Sequence, residues 1–259
     1  MSAPLTDSHC HLSMSADGAE PLLAAAREAG VRGFVVPGTH LRDSEESAEL
    51  AVRHADVWAA VGFHPHEAKD CDETALSRIR ELARGEKVVA IGEIGLDYHY
   101  MHSPREVQLE VLRRHFAIAR ELDLPVIIHD RESTDDLIEL LESPDAAGVG
   151  GVLHSWTGSL EVARRLIDRG FFISFSGIVT FRSAEPLREV ARRLPPESVL
   201  IETDTPYLAP VPHRGRPNQP AFVVEIAKLL GRLWSLPHDE VARITTANFE
   251  RAFGVKIAP

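Results

Sequence analysis

The sequence predicts an α/β fold, a single TIM-type (β/α)8 barrel over residues 1–259, from three observations. Eight short apolar runs alternate with helix-like stretches along the chain, the order produced by parallel strands joined through right-handed helical crossovers. The runs are continuously apolar rather than alternating, as in GFVVPG, VWAAVGF and PVIIH; strands covered by helices on both faces have this composition. The length of 259 residues suits one such barrel, and no linker, low-complexity tract or charge run marks a second domain.

Residues 5–10 are the first predicted strand. PLLAAAREAG, residues 21–30, follows as a helix ending on a glycine suited to a C-cap. Residues 33–38 and 57–65 are the second and third strands, with a helix over 43–54 between them. A helix over 72–84 precedes KVVAIGEIG, the fourth strand, which ends near Glu93. A long amphipathic helix over 105–122 leads into LPVIIHD, residues 124–130, the fifth strand. Residues 133–141 are helical, 149–156 the sixth strand, 160–169 helical and 170–177 the seventh strand. A helix over 185–193 leads to the eighth strand, 198–204, and two helices over 221–233 and 238–249 close the pattern. DSHCHLSMSADG, residues 7–18, reads as a polar, mobile loop beyond its first strand. The one long irregular stretch is 206–220, with five prolines, two arginines and a histidine, directly after Asp204. Long loops at the ends of barrel strands are commonly functional.

Composition narrows the function. Hydrophobic residues make up 44% and charged residues 26%, ordinary values for a globular protein. Two cysteines, Cys10 and Cys71, do not suggest a disulfide framework. MSAPLTDSHCHL lacks a basic n-region and an apolar h-region, and no run is long enough to span a bilayer. A cytoplasmic enzyme with no membrane association and no obligate protein partner is the expectation. The net charge of −11 disfavours broad attraction to nucleic acid. Local arginines and bound dications can still take up phosphate. No GxSxG, P-loop or GxGxxG is present.

The chemistry is concentrated in His9 and His11 of DSHCHL, Glu93 of GEIGLDYH, His129 of PVIIHDRES, His154 of GVLHSWTG and Asp204 of LIETDTPYLAP. Each follows or ends a strand-like run, and strand ends are where a β/α barrel gathers its reactive groups. Imidazole mixed with carboxylate suits divalent ions. Two inward histidines two residues apart on a strand share a face and are costly without partners. Glu93 sits between glycines that permit close approach, and its two oxygens can bridge two cations. Glu202 lies two residues before Asp204, on the same face, as a partner behind a ligand or a further ligand. His64 and His66, in GFHPHEA, are open between substrate contact and loop structure. Arg214 and Arg216, in HRGRPNQP, are open between a phosphate clamp and a solvated turn. Cys10 points away from the ligand face and reads as packed.

Taken in order, DSHCHL, VGFHPHEA, AIGEIGLDYHY, ARELDLPVIIHDRES, GVLHSWTGS, ISFSGIVTF, LIETDTPYLAPVPHRGRPNQP and TTANFERAFG resemble the TatD family of metal-dependent hydrolases, often described as deoxyribonucleases. They run from Asp7 to Gly254. The resemblance implies a TIM-type barrel related to amidohydrolases, with Glu93 in the bridging place. It implies His9, His11, Glu93, His129, His154 and Asp204 as metal ligands for magnesium, manganese or zinc. It also implies DNA phosphodiester hydrolysis of exonuclease type. Ser13, RES after His129 and NQP at the end of the 206–220 loop depart from the family pattern without touching a ligand. The expected mechanism is two-metal hydrolysis. His9, His11, Glu93 and Asp204 hold one ion, and Glu93, His129 and His154 the other. Asp204 is the base for a metal-activated water. A metal-dependent esterase or amidase, such as a D-aminoacyl-tRNA deacylase, would use the same centre. A silent binding protein on the same barrel is the remaining alternative.

Overall fold

The computed structural model describes residues 3–14 and 18–258. Residues 15–17, part of the predicted polar loop, lie outside the described residues. The strands are β1 (Leu5–Asp7), β2 (Val31–Pro37), β3 (Val57–Val61), β4 (Val88–Asp97), β5 (Val126–Arg131), β6 (Gly151–Leu153), β7 (Phe171–Phe175) and β8 (Val199–Ile201). The helices are α1 (Ala19–Glu28), α2 (Leu41–Arg53), α3 (Glu73–Leu82), α4 (Arg105–Leu122), α5 (Thr134–Glu142), α6 (Leu160–Asp168), α7 (Glu185–Arg193), α8 (Val223–Trp234) and α9 (His238–Phe253). The strands follow chain order in one eight-stranded sheet, the (β/α)8 class that the alternation predicts. No helix among the described residues is long and apolar enough to cross a membrane.

Helices α4 and α7 coincide with their predicted bounds. In α7 the buried Leu187, Val190 and Ala191 mark one stripe at helical spacing, with Pro186 in the first turn where its missing N–H costs nothing. Strands depart from expectation at their carboxyl ends. β6 stops at Leu153 and β8 at Ile201, short of the predicted 156 and 204. Ser155 and Asp204 have φ of 45° and 58°, left-handed values that end an extended ladder. β4 is longer than expected and continues past Glu93 to Asp97, buried throughout.

The chain divides into two compact units, one holding residues up to Val36 together with those from His154 onward, the other Pro37–Leu153. In the first unit β7 pairs with β8 through Ile173↔Val199 and Phe175↔Ile201, and β1 with β2 through Thr6↔Gly33. Beyond β1, Ser8 N donates to Ile201 O at 3.1 Å, Asp204 N to His9 O at 2.9 Å and His11 N to Thr205 O at 2.9 Å. The last strand thus runs beside the first, as expected of Asp204. Helix α9 fastens this seam: Asn248 Nδ2 donates to Val199 O at 2.6 Å and Thr246 Oγ1 to Pro4 O at 2.8 Å. Phe34, Phe175 and Phe249 are fully buried in this unit.

In the second unit β3, β4, β5 and β6 pair in parallel, and Ile79, Ile91, Ile94 and Phe116 are fully buried. Gly95 is paired with His129 across β4 and β5. It has φ of +145°, and a Cβ there would lie 2.0 Å from His129 O. Only glycine lets β4 pass this close to the backbone of a candidate ligand.

Candidate metal centre

The first unit carries His9, His11, His154, Glu202 and Asp204. The HxH pair was expected on a strand, but β1 ends at Asp7; a parallel bridge between Cys10 and Thr205 holds the following residues extended. The shared face survives this correction: His9 Nε2 and His11 Nε2 lie 3.1 Å apart. Two bare ring lone pairs at that distance repel, so a proton or a cation must lie between them. His11 Nε2 is 3.6 Å and His9 Nε2 3.9 Å from Asp204 Oδ1. The His9 ring stacks on His154 with centroids 3.7 Å apart. Cys10 is packed as expected, fully buried with Sγ 3.6 Å from Val35 O.

Glu202 stands behind His154. It is fully buried, and its Oε1 accepts from His154 Nδ1 at 2.8 Å and Ser155 N at 2.7 Å. Burial alone would raise its carboxyl, but the neighbouring His154 outweighs burial and holds it below the ordinary range. An ionised Glu202 takes the Nδ1 proton, so the lone pair of His154 sits on Nε2. Asp7 is a second buried carboxyl here, accepting from Thr203 N at 2.9 Å and Thr203 Oγ1 at 2.6 Å. Burial pushes it to about 8 against the lowering effect of these bonds. Asp7 ties the end of β1 to the turn carrying Glu202 and Asp204. Asn218 ties the 206–220 loop to the same turn, its Nδ2 donating to Thr203 O at 2.7 Å and Tyr207 O at 2.6 Å.

The second unit carries His64, His66, Glu93, Asp97 and His129. His129 Nδ1 lies 3.0 Å from Glu93 Oε1, and its Nε2 lies 3.1 Å from Asp97 Oδ2. His66 Nε2 meets the same Asp97 oxygen at 2.9 Å. The other oxygen, Oδ1, accepts from His99 N at 3.0 Å and Tyr100 N at 2.9 Å. Burial would raise Asp97, but the bonds from His129, Tyr100 N and His66 prevail and hold it well below the usual carboxylate range. As an ionised acceptor it takes Nε2–H of His129, which turns the Nδ1 lone pair toward Glu93. His64 differs: its Nδ1 accepts from His66 N at 3.1 Å, so its proton sits on Nε2, which points toward Glu93 Oε1 at 3.6 Å. In this tautomer His64 offers a donor and no lone pair to the cluster.

Asp97 lies beyond the predicted end of the fourth strand, which in the structure runs on to include it. Glu93, Gly95 and Asp97 share one face by the two-residue period, and that signal was available. His9, His154 and Glu202 bring one nitrogen or carboxylate oxygen each within 4.8 Å of one another, as do His64, Glu93 and His129; with His64 serving as a donor, Glu93 and His129 are the pair in the second group whose lone pairs suit a divalent ion. Arg214 lies elsewhere on its loop, its guanidinium 3.8 Å from the Phe181 ring centroid and its Nη1 donating to Ala209 O at 3.3 Å. Arg216 is exposed.

Buried imidazole–carboxylate groups at the carboxyl ends of parallel strands in a (β/α)8 fold define a metal-dependent hydrolase. The model of the TatD related DNase family matches residues 6–254, and the chain belongs to that family. It is 40% identical over 253 residues to YabD of Bacillus subtilis (strain 168), described as an uncharacterized metal-dependent hydrolase, covering 97% of this chain and 99% of the relative. It is 34% identical over 242 residues to the 3′-5′ ssDNA/RNA exonuclease TatD of Erwinia amylovora (strain ATCC 49946 / CCPPB 0273 / Ea273 / 27-3), covering 91% and 93%. The crystal structure of YJJV, a TatD homolog from Escherichia coli K12, is similar with a TM-score of 0.91 and 32% identity over 97% of this chain and 98% of that one.

Proposed function

We propose that this chain is a nuclease that hydrolyses phosphodiester bonds of single-stranded DNA, exonuclease fashion, with two divalent cations of zinc, magnesium or manganese. The observation that carries this reading is that each histidine–carboxylate cluster has a buried carboxylate fixing one ring. Glu202 sets His154 to present Nε2, and Asp97 sets His129 to present Nδ1. Fixed tautomers are what metal ligation requires of imidazoles and what core packing does not. The exonuclease name of the Erwinia relative supports the substrate class.

In this reading the cations would be held by His9, His11, His154 and Asp204 of the first unit and by Glu93 and His129 of the second. When bound, the cations would supply Lewis-acid activation of water and of the scissile phosphoryl group. The chain's own groups do the rest. Asp204 keeps an outlet to solvent, its side chain 13% exposed, and serves as general base. His64 supplies an N–H from Nε2 for a phosphoryl oxygen, and His66 braces Asp97. Arg214 and Arg216 contact the substrate backbone.

The test is release of nucleotides from an internally labelled single-stranded oligonucleotide, with metal and with EDTA. Asp204→Ala is expected to slow release by about 10²–10⁴-fold, the usual weight of a general base. Glu93→Ala is expected to abolish release and lower bound metal, with circular dichroism unchanged for both. Cleavage by both variants at the wild-type rate defeats the proposal. So does turnover of D-aminoacyl-tRNA, with none of the oligonucleotide, by the metal-loaded wild type.

A further inference from the structure

We propose that the recess between the loops following β7 and β8 binds one nucleotide of the single strand, beyond the bond being cut. This rests on the nuclease reading and names a subsite for it. The recess, of about 480 Å³, is lined by Phe181, Arg182, Ser183, Val211 and Arg214. That volume falls in the range of small-molecule sites. Its first wall follows β7 through the short turn Gly177–Thr180, and its second belongs to the 206–220 loop that starts two residues after Asp204. Both loops therefore leave the strand ends from which the candidate base projects.

The two walls are preassembled. Val211 N donates to Thr180 Oγ1 at 2.9 Å, and a Cβ on Gly177 would lie 1.9 Å from Leu208 O, so the loops touch backbone to backbone. Arg188 holds the first wall from below, its Nη1 donating to Phe181 O at 2.7 Å and Val179 O at 3.1 Å. A recess that is already formed spares the ordering cost of binding.

Its chemistry is that of a nucleotide. The Arg214 guanidinium covers Phe181 at 3.8 Å and offers a stacking platform for a base. Val211, 46% exposed, supplies apolar contact beside it. Arg182 is exposed, and neither it nor Arg214 is paired with a carboxylate among the described residues. Several arginines elsewhere are neutralised: Arg78 by Glu45, Arg105 by Asp136 and Arg114 by Glu73. In a chain of net charge −11, two unneutralised guanidiniums at one recess form a local attraction for phosphate. A stacked base with an adjacent phosphate requires an unpaired strand, since a duplex hides its base faces.

The experiment is fluorescence anisotropy of the metal-loaded protein with labelled phosphorothioate oligothymidylates of about two and about eight nucleotides, one below and one within the site sizes of single-strand grooves. Wild type is expected to bind the longer strand more tightly. The Arg182→Ala/Arg214→Ala double variant is expected to lose about tenfold or more of that gain. Its log K against log salt slope should fall by roughly 0.7 for each phosphate contact removed. Arg182→Lys should keep the slope, because charge is retained, and Arg214→Lys should weaken binding through the lost stack. Melting temperatures confirm that each variant is folded. Wild-type cleavage together with undiminished length dependence in the double variant overturns this subsite and leaves the nuclease reading standing. Failure of wild type to bind either strand, together with no cleavage of the unmodified oligonucleotide, overturns both.

Discussion

The two histidine–carboxylate clusters use the same device from opposite ends of the ring. In the first unit a fully buried glutamate grips His154 at Nδ1, and Nε2 faces the site. In the second, Asp97 grips His129 at Nε2, and Nδ1 faces Glu93. The surroundings differ as well. His9, His11 and His154 have side chains at most 5% exposed, whereas His129 is 18% and His66 24% exposed. In the first cluster the three rings and Glu202 are buried, and Glu202 has no solvent to fall back on. In the second the rings are part-exposed, while Asp97, itself 1% exposed, is saturated by four donors. One device can therefore be enforced by burial or by hydrogen-bond saturation, and the two should respond differently to substitution.

The largest expected effect comes from the close approach in the second unit. Gly95→Ala combines a left-handed φ with a Cβ 2.0 Å from His129 O, and should destabilise the protein by about 4 kcal/mol in urea unfolding. A wild-type midpoint in this variant would break the claim that this strand contact is tight. Next is His115 on α4, also in the second unit. Its Nδ1 donates to Val111 O at 2.8 Å, its Nε2 has no hydrogen-bond partner among the described residues, and burial pushes its pKa from 6.5 down to about 4. Between those values the unfolded chain binds the proton and the folded chain does not. Stability is therefore full above about pH 6.5 and is lost as pH falls toward 4, by about 3 kcal/mol at most. In His115→Leu the slope of stability against pH should shrink across that window; an unchanged slope assigns the acid response to other groups.

Smaller effects separate the two carboxylates directly. Glu202→Ala leaves a buried His154 N–H and Ser155 N–H without their acceptor, and metal affinity measured by titration should drop about a hundredfold. Glu202→Gln keeps an oxygen for both donors and should recover most of that loss. Asp97→Ala should cost nearer tenfold, because water can reach His129. Here Asp97→Asn should rescue little, since an amide turns its NH₂ toward one of two donor pairs whichever way it flips. Equal rescue by Gln and Asn would erase the contrast between sealing and saturation.

Much of this was legible in the residues. The 3.6-residue stripe placed α4 and α7 to the residue, and the unbroken apolar runs located all eight strands. The ligand candidates stood out because histidine and carboxylate recur at apolar strand ends, where a structural role is expensive. Strand ends were less legible: the left-handed residues Ser155 and Asp204 are ordinary letters in the sequence, and nothing local announces their φ. Asp97 was obscured by the same uncertainty, since moving a strand end by two residues changes which carboxylate belongs to the face.

The sequence by itself determined the class of fold, the inventory of imidazoles and carboxylates and the family, because periodicity and residue chemistry are local properties. Only tertiary structure decided which ring nitrogen each histidine presents, that Asp97 takes four donors, and that Arg214 lies on Phe181. Those facts depend on hydrogen-bond partners dozens of residues apart, such as His154 with Glu202 or His66 with Asp97. A proton's place on a ring is set by the neighbours that the completed fold supplies.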